Sequence, residues 1–324
     1  MNKSRLPSWE DETAWRAIYA AVPEPMQPTE PMSVQEEWRR IGRFDVHLDR
    51  WIAPSPKGRV IMLHGGGGHG RLLGVYAWRL ALAGYEVVCP DLPSYGLTLT
   101  PERSKLVYDD WRDVAAELIK AERQRGGSLF VMGLSMGGML AYDAAAMTQA
   151  VDGLITTCFL DATLPAVRRA VMRYGWMAGP TSLGLRFAPS FFNGLNLPMA
   201  LLGNMRAIAN DPELVRAVIA DKRAGGNSMP YGFLRTWLTA KPVMAPEQFE
   251  TCPVLMTHPA NDLWTDIKIS QDFFDALGSE KHLVLLENAG HFPVETPGRD
   301  QLDSAVVNFM SAITENRPVP TDLS

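Results

Sequence analysis

Short apolar runs alternate with longer helix-like segments along most of the chain. The apolar runs predict buried strands and cover residues 59–63, 85–89, 129–132, 154–159, 253–257 and 283–286. The longer segments predict helices and cover residues 72–83, 107–125, 138–146, 267–277 and 299–314. This regular alternation predicts an α/β fold, with a mostly parallel, doubly wound sheet and helices on both faces.

The alternation breaks in the middle of the chain. Residues 163–250 hold short helical pieces rich in Met, Phe, Leu, Gly and Pro, which predicts a helical cap inserted into the α/β body. The large apolar residues crowded into this segment include Met172, Trp176, Met177, Leu183, Phe187, Phe191, Phe192, Leu195, Leu197, Met199, Leu201 and Leu202. Some must form the core of the cap, and the others are expected to line a pocket.

The first forty residues look like an addition to this body. Trp9, Trp15, Ile18, Tyr19 and Val22 share one helical face before several prolines, which favours a helix packed on the body over a dimer contact or a membrane-surface helix. Apolar positions 44, 46 and 48 alternate with polar positions 45, 47 and 49, as in a half-buried edge strand. The predicted units are a helical extension at 1–42, core at 43–162, cap at 163–250 and core again at 251–324.

The sequence around Ser135 carries the strongest chemical signal. Gly133-Leu-Ser-Met-Gly137 has the pattern G-x-S-x-G and lies between a predicted strand and a predicted helix. Glycines without Cβ atoms let strand and helix approach closely, which leaves Ser135 in a strained turn with its hydroxyl exposed at a helix N-terminus. Ser135 is therefore a candidate nucleophile.

A serine nucleophile needs a base, and the base needs an orienting acid. Asp262 follows the predicted strand 253–257 and His291 follows the predicted strand 283–286, which gives the order Ser, Asp, His, with Asp266 as the alternative acid. The glycine-rich stretch after the first buried strand suggests that the N–H groups of Gly66 and Met136 hold the oxyanion. His64 is expected to brace this loop. The other histidines, expected to be surface or loop residues, are His47, His69, His258 and His282.

The same glycine-rich stretch allows a rival interpretation. Gly65, Gly67 and Gly70 fit G-x-G-x-x-G, with Asp91 about 20 residues further on, as in a dinucleotide site. This alternative leaves Ser135, Asp262 and His291 without a role and is the weaker hypothesis. No His/Cys/Asp spacing suggests a metal, and no cofactor is predicted.

Charge and composition narrow the class of protein. Lys and Arg number 31 against 36 Asp and Glu, a net charge of −5 without a basic block, which argues against nucleic acid as a partner. No signal peptide and no membrane-spanning run are evident, so a cytoplasmic protein without stable membrane insertion is expected. Three cysteines in or beside apolar runs, Cys89, Cys158 and Cys252, are expected to be buried reduced thiols.

These motifs resemble the α/β-hydrolase superfamily and, within it, the monoacylglycerol-lipase-like serine hydrolases. The resemblance runs from about Phe44 to the C-terminal helix and rests on residues 64–67, 133–138, 261–262 and 290–291. It implies Ser135 as nucleophile, His291 as base, Asp262 as acid and no cofactor. Glu and His, usual in that branch, are replaced here by Gly68 and Leu134, so the resemblance leaves the substrate open.

The predicted activity is hydrolysis of small-molecule carboxylic esters, with an apolar acyl or alcohol part, through an acyl-enzyme. A thioesterase, lactonase or acyltransferase with the same three residues remains an alternative. A dinucleotide-binding oxidoreductase and a non-catalytic binding protein are weaker alternatives. The sequence predicts no oligomeric state.

Overall fold

One eight-stranded sheet organises the chain in the computed structural model, which describes residues 6–23, 26–27, 34–177 and 190–323. The strands are β1 Val34–Ile41, β2 Phe44–Trp51, β3 Gly58–Leu63, β4 Tyr85–Pro90, β5 Ser128–Gly133, β6 Gly153–Thr156, β7 Asn196–Pro198, β8 Ser228–Pro230, β9 Val254–Pro259 and β10 Lys281–Leu286. The helices are α1 Ala14–Ala21, α2 Gly74–Leu82, α3 Tyr108–Arg123, α4 Met136–Thr148, α5 Pro165–Val171, α6 Met199–Leu202, α7 Pro212–Ala220, α8 Tyr231–Thr239, α9 Lys268–Ala276 and α10 Gly298–Thr314.

The sheet has the strand order β1-β2-β4-β3-β5-β6-β9-β10. The β1–β2 and β2–β4 pairs are antiparallel, and every later pair is parallel. Parallel strands need crossover connections, which the helices between the strands supply. The prediction of a mostly parallel sheet with helices is therefore confirmed.

Two buried apolar clusters cover the two faces of the sheet. Successive residues of β3 alternate between them, because side chains along a strand point to opposite faces. Val60 and Met62 join a cluster with residues of α2 and α10, whereas Ile61 and Leu63 join one with residues of α3 and α4. The continuous apolar runs thus reflect strands buried on both faces.

The edge of the sheet differs from the sequence-based expectation. β2 was expected at the edge, but it lies between β1 and β4, and β1 pairs with it from Val34 opposite Trp51 to Ile41 opposite Phe44. The polar side chains that suggested a solvent-facing side, His47 and Asp49, are fully buried. The predicted helical extension at 1–42 is wrong in its last part, since 34–41 belongs to the sheet.

The described part of the segment between β6 and β9 contains only short helices and one two-stranded antiparallel pair, β7 with β8. Its division from the body as a cap remains a prediction. Leu183 and Phe187, two of its predicted apolar residues, lie outside the described residues. The three cysteines are buried and unpaired, as expected. No helix in the described ranges is long and apolar enough to cross a membrane.

Candidate active site

Ser135 occupies a sharp turn between β5 and α4. Its backbone has φ 56° and ψ −125°, a conformation that costs a residue with a side chain on the order of 1–3 kcal/mol. The turn closes because its glycines leave no room for a Cβ: one on Gly133 would lie 2.0 Å from the carbonyl oxygen of Gly137. The backbone N–H of Ser135 donates to Thr157 Oγ1 at 3.0 Å, which holds the strained residue in place.

Asp262 and His291 lie in the loops after β9 and β10, which are neighbouring parallel strands. Their carboxyl ends therefore meet at the edge of the sheet where β5 also ends. His291 Nδ1 is 2.8 Å from Asp262 Oδ2, and the two side chains are only 3% and 2% exposed. Asp266 is exposed, and its carboxylate accepts the N–H of Lys268 at 2.9 Å.

The Asp262 carboxylate accepts hydrogen bonds on both oxygens. Oδ1 accepts the N–H groups of Trp264 and Thr265 at 2.7 and 2.9 Å, and Oδ2 accepts the hydroxyl of Thr265 at 2.7 Å. Burial alone would raise the pKa of Asp262, but His291 and these donors lower it to about 2. Asp262 is therefore a carboxylate at neutral pH. Sequence reasoning missed Thr265, since an isolated threonine in a loop has no signature.

The second ring nitrogen of His291, Nε2, is buried and has no hydrogen-bond partner among the described residues. Because Nδ1 faces the Asp262 carboxylate, Nδ1 carries the proton of the neutral ring and Nε2 is left as a basic nitrogen. His291 and Ser135 line the same cavity. The Trp264 ring lies against the imidazole with its centroid 4.8 Å away, which fixes the orientation of the ring.

The glycine-rich loop after β3 passes close to the Ser135 turn. A Cβ on Gly65 would lie 3.0 Å from Ser135 Cβ and 3.2 Å from the nitrogen of Met136, so only glycine allows this approach. Gly66, Ser135 and Met136 line a common cavity. This position is consistent with the predicted use of the Gly66 and Met136 N–H groups.

His64 holds the start of this loop. Its Nε2 accepts the N–H of Leu92 at 3.0 Å, so Nδ1 carries the proton and donates to the Gly65 carbonyl at 2.8 Å. Burial lowers the pKa of His64 to about 4, which keeps the ring neutral. His64 therefore braces the loop, as expected.

Two cavities meet at Ser135. The larger cavity has about 850 Å³ of empty space, part of it open to solvent, and the smaller has about 490 Å³. Apolar residues that line the larger cavity include Leu160, Val171, Met172, Leu197, Met199, Leu202, Met229, Phe233, Leu234, Trp237 and Leu238. Apolar residues that line the smaller cavity are Leu72, Leu73, Leu134, Ile208, Ala209, Leu214, Val218 and Phe292. None of the described lining residues is Asp, Glu, Lys or Arg.

The expectation for the remaining histidines is wrong for His47 and His258, which are buried in β2 and β9. His69 lies in a loop as expected, although it is buried, and His282 is partly exposed in β10. His258 Nδ1 donates to the carbonyl of Thr157 at 3.0 Å. This bond matters to the site, because the hydroxyl of the same threonine holds the Ser135 backbone.

The structure argues against the rival dinucleotide interpretation, because the acidic residue that it requires, Asp91, already binds backbone groups of the protein. Asp91 is fully buried, and its carboxylate accepts the N–H groups of Gly70 and Leu97 at 2.6 and 2.8 Å. It is therefore not available to a ribose hydroxyl in the crevice. No group of His, Cys, Asp and Glu residues within the described ranges could hold a metal ion.

Comparison with known proteins identifies a family. Residues 54–295 match the model of the family described as serine aminopeptidase, S33. No curated protein sequence gives a significant match.

The fold is shared with solved lipases. A soluble variant of monoglyceride lipase from Saccharomyces cerevisiae, in complex with a substrate analogue, is similar at TM-score 0.72 and 18% identity, over 90% of this chain and 98% of the other. Monoacylglycerol lipase of Paleococcus ferrophilus is similar at TM-score 0.65 and 19% identity, over 83% and 99%. At these identities the likeness establishes the fold alone.

Proposed function

Because the chain belongs to the serine aminopeptidase S33 family of α/β hydrolases, we propose that it hydrolyses uncharged carboxylic esters through an acyl-enzyme on Ser135. One observation carries the proposal. The strained turn presents Ser135 to a cavity that His291 also lines. On the other side of the His291 ring, Nδ1 is 2.8 Å from the Asp262 carboxylate. Nucleophile, base and orienting acid are the three parts that this chemistry requires.

In the proposed acylation step, Ser135 Oγ attacks the ester carbonyl carbon while its proton passes to His291 Nε2. Asp262 keeps the other ring proton on Nδ1 and stabilises the imidazolium that forms. The N–H groups of Gly66 and Met136 hold the negative oxygen of the tetrahedral intermediate. The intermediate collapses when the C–O bond to the alcohol breaks and the alcohol takes the proton from His291.

In the deacylation step, His291 takes a proton from water, and the resulting hydroxide attacks the acyl carbonyl. Collapse of the second tetrahedral intermediate releases the carboxylic acid and returns the proton to Ser135. No group beyond the side chains and backbone named here is needed for either step.

The linings of the two cavities support an assignment of the two halves of the ester. His291 must protonate the leaving alcohol, and it lines only the smaller cavity, so the alcohol lies there and the acyl chain lies in the larger cavity. The apolar linings favour carbon-rich groups on both sides. Several solved proteins of this fold are named as lipases or esterases, which supports the ester class.

Aminopeptidase activity, the description of the matched family, is not proposed. The free amino terminus of a peptide carries a positive charge, and burying it without a partner is costly. The described lining of both cavities offers no carboxylate to pair with it.

Partition of the acyl group between water and methanol tests the acyl-enzyme. Octanoyl esters of nitrophenol and of hexanol are hydrolysed in the presence of methanol, and octanoic acid and methyl octanoate are measured. A common acyl-enzyme predicts the same product ratio from both esters, because the leaving group has departed before the acceptor attacks. A ratio that depends on the leaving group would contradict the proposal.

A further inference from the structure

The N-terminal segment, residues 6–22, lies outside the residues that match the family and yet reaches the glycine-rich loop. Trp9 is fully buried, and its ring lies against the ring of His69 with centroids 4.4 Å apart and planes at 31°. His69 stands at the end of that loop. Its Nδ1 accepts the N–H of Leu72 at 3.0 Å, and its Nε2 is 3.2 Å from Asp221.

The backbone of Trp9 is held by a carboxylate of the sheet edge. Glu36, in β1, accepts the N–H of Trp9 at 3.1 and 3.2 Å and the hydroxyl of Ser8 at 3.0 Å. Its Oε2 is also 3.1 Å from Nε2 of His47 in β2. Trp9 is thus tied to β1 directly and to β2 through Glu36.

The same chain of contacts continues to the loop. His47 Nδ1 lies 3.0 Å from Asp91, whose other oxygen accepts the N–H of Gly70 at 2.6 Å. Burial disfavours the charged ring, but Asp91, Glu36 and Asp49 raise the pKa of His47 to about 9. His47 is therefore a cation at neutral pH, and it links the carboxylates that hold Trp9 and Gly70.

Further along the segment, α1 packs on the wall of the smaller cavity. The hydroxyl of Tyr19 donates to the carbonyl of Arg71 at 2.8 Å, beside the loop. Ile18 is fully buried in the same apolar cluster as Leu214 and Val218 of α7, which line the smaller cavity. The contacts of the segment therefore converge on the loop and on one cavity wall.

A loop with four consecutive glycines has unusual conformational freedom, so its donors stay aligned only when both ends are fixed. His64 fixes the first end through Leu92. We propose that the N-terminal segment fixes the second end and is a positioning element of the active site, with Trp9 as the positioning residue for the Gly66 N–H. This inference rests on the proposed function, because it assigns the segment a role in oxyanion stabilisation.

Three variants of the full chain test the inference. Trp9→Ala removes the ring that lies against His69, whereas Trp9→Phe keeps an aromatic ring there. Trp9→Phe loses no hydrogen bond among the described residues, because the indole Nε1 of Trp9 has no partner there. Phe249→Ala is the matched control, since it truncates another fully buried aromatic ring in the cluster on the opposite face of the sheet. Hydrolysis of nitrophenyl octanoate, normalised to active sites, is measured together with hydrogen exchange of residues 65–73.

Trp9→Ala should lower kcat per active site by about 10- to 100-fold, because a donor misplaced by about 1 Å loses most of its effect. KM should stay within about threefold. Trp9→Phe should restore most of kcat, and Phe249→Ala should change it by less than about threefold. Hydrogen exchange at 65–73 should accelerate in Trp9→Ala alone.

Equal losses of kcat in Trp9→Ala and Phe249→Ala, or unchanged exchange at 65–73 in Trp9→Ala, would overturn the positioning role. If Trp9→Ala does not fold, Glu36→Gln replaces it in the test, because it weakens the hydrogen bonds to the Trp9 backbone. Glu36→Gln should lower kcat and accelerate hydrogen exchange at 65–73 by smaller amounts than are expected for Trp9→Ala. Hydrogen exchange does not depend on turnover. A wild-type protein without esterase activity would therefore refute the proposed function, while hydrogen exchange at 65–73 would still test whether Trp9 fixes the glycine-rich loop.

Discussion

Replacement of Leu202 by Trp tests whether the larger cavity receives the acyl chain. Leu202 lines that cavity from α6, and its neighbour Leu201 is 59% exposed and does not line it. Leu202→Trp places an indole in the space offered to the chain, whereas Leu201→Trp adds the same bulk towards solvent. The pair separates loss of cavity space from a general effect of the substitution.

The size of the expected change in kcat/KM follows from the apolar lining of the larger cavity. Each methylene buried in an apolar cavity contributes up to about 0.8 kcal/mol, so the wild type should gain up to about 3 kcal/mol, roughly a hundredfold in kcat/KM, from butanoyl to octanoyl esters. If the indole displaces the last two methylenes, Leu202→Trp loses about 1.6 kcal/mol, roughly fifteenfold, for the octanoyl ester. The acetyl ester should change by less than about twofold.

The assay is kcat/KM for nitrophenyl esters from acetyl to octanoyl on the wild type and both variants. Octanoyl turnover should fall in Leu202→Trp and stay within about twofold of the wild type in Leu201→Trp. A wild-type kcat/KM that falls steadily with chain length would show that the cavity is closed to acyl chains. The protein would then be an esterase for small acids.

Other predictions concern the residues around His291 and the buried charge network. Asp262→Asn should lower kcat by roughly 10⁴-fold, because an amide cannot hold the productive tautomer of His291. Asp266→Asn should change kcat by less than about threefold. The reverse ranking in steady-state kinetics would give the role of the acid to Asp266. Thr265→Val removes a 2.7 Å bond to the Asp262 carboxylate and should lower kcat by about tenfold with KM little changed. The pKa of His47 is raised in the folded state to about 9, so its stabilising contribution is full below pH about 6.5 and is lost as the pH rises through 9. Urea denaturation should therefore show a decline in unfolding free energy over that range, and His47→Asn should flatten it.

The α/β alternation could be predicted because strands buried on both faces are continuous apolar runs. β1 could not be predicted in this way, since Val34–Ile41 is mostly polar and only Ile41 is buried. Its stability comes from pairing with β2 along its whole length, which is a contact between strands and leaves no hydrophobic pattern.

The loops after β5, β9 and β10 were predictable places for chemistry, because the ends of parallel strands converge on one edge. The burial of His47 and His69 was not predictable. Each is buried against a carboxylate distant in sequence, Asp91 or Asp221, and only the folded chain brings the partners together. The polar alternation along β2 was therefore mistaken for exposure to solvent.

Labelling by a fluorophosphonate tests the central claim most directly, because the reagent forms a covalent bond to an activated serine. The wild type should gain one phosphonyl group by intact-protein mass spectrometry, and peptide mapping should place it on Ser135. Ser135→Ala should keep its circular dichroism spectrum and show neither labelling nor ester turnover. Labelling that persists in Ser135→Ala, or that maps to another residue of the wild type, would contradict the account.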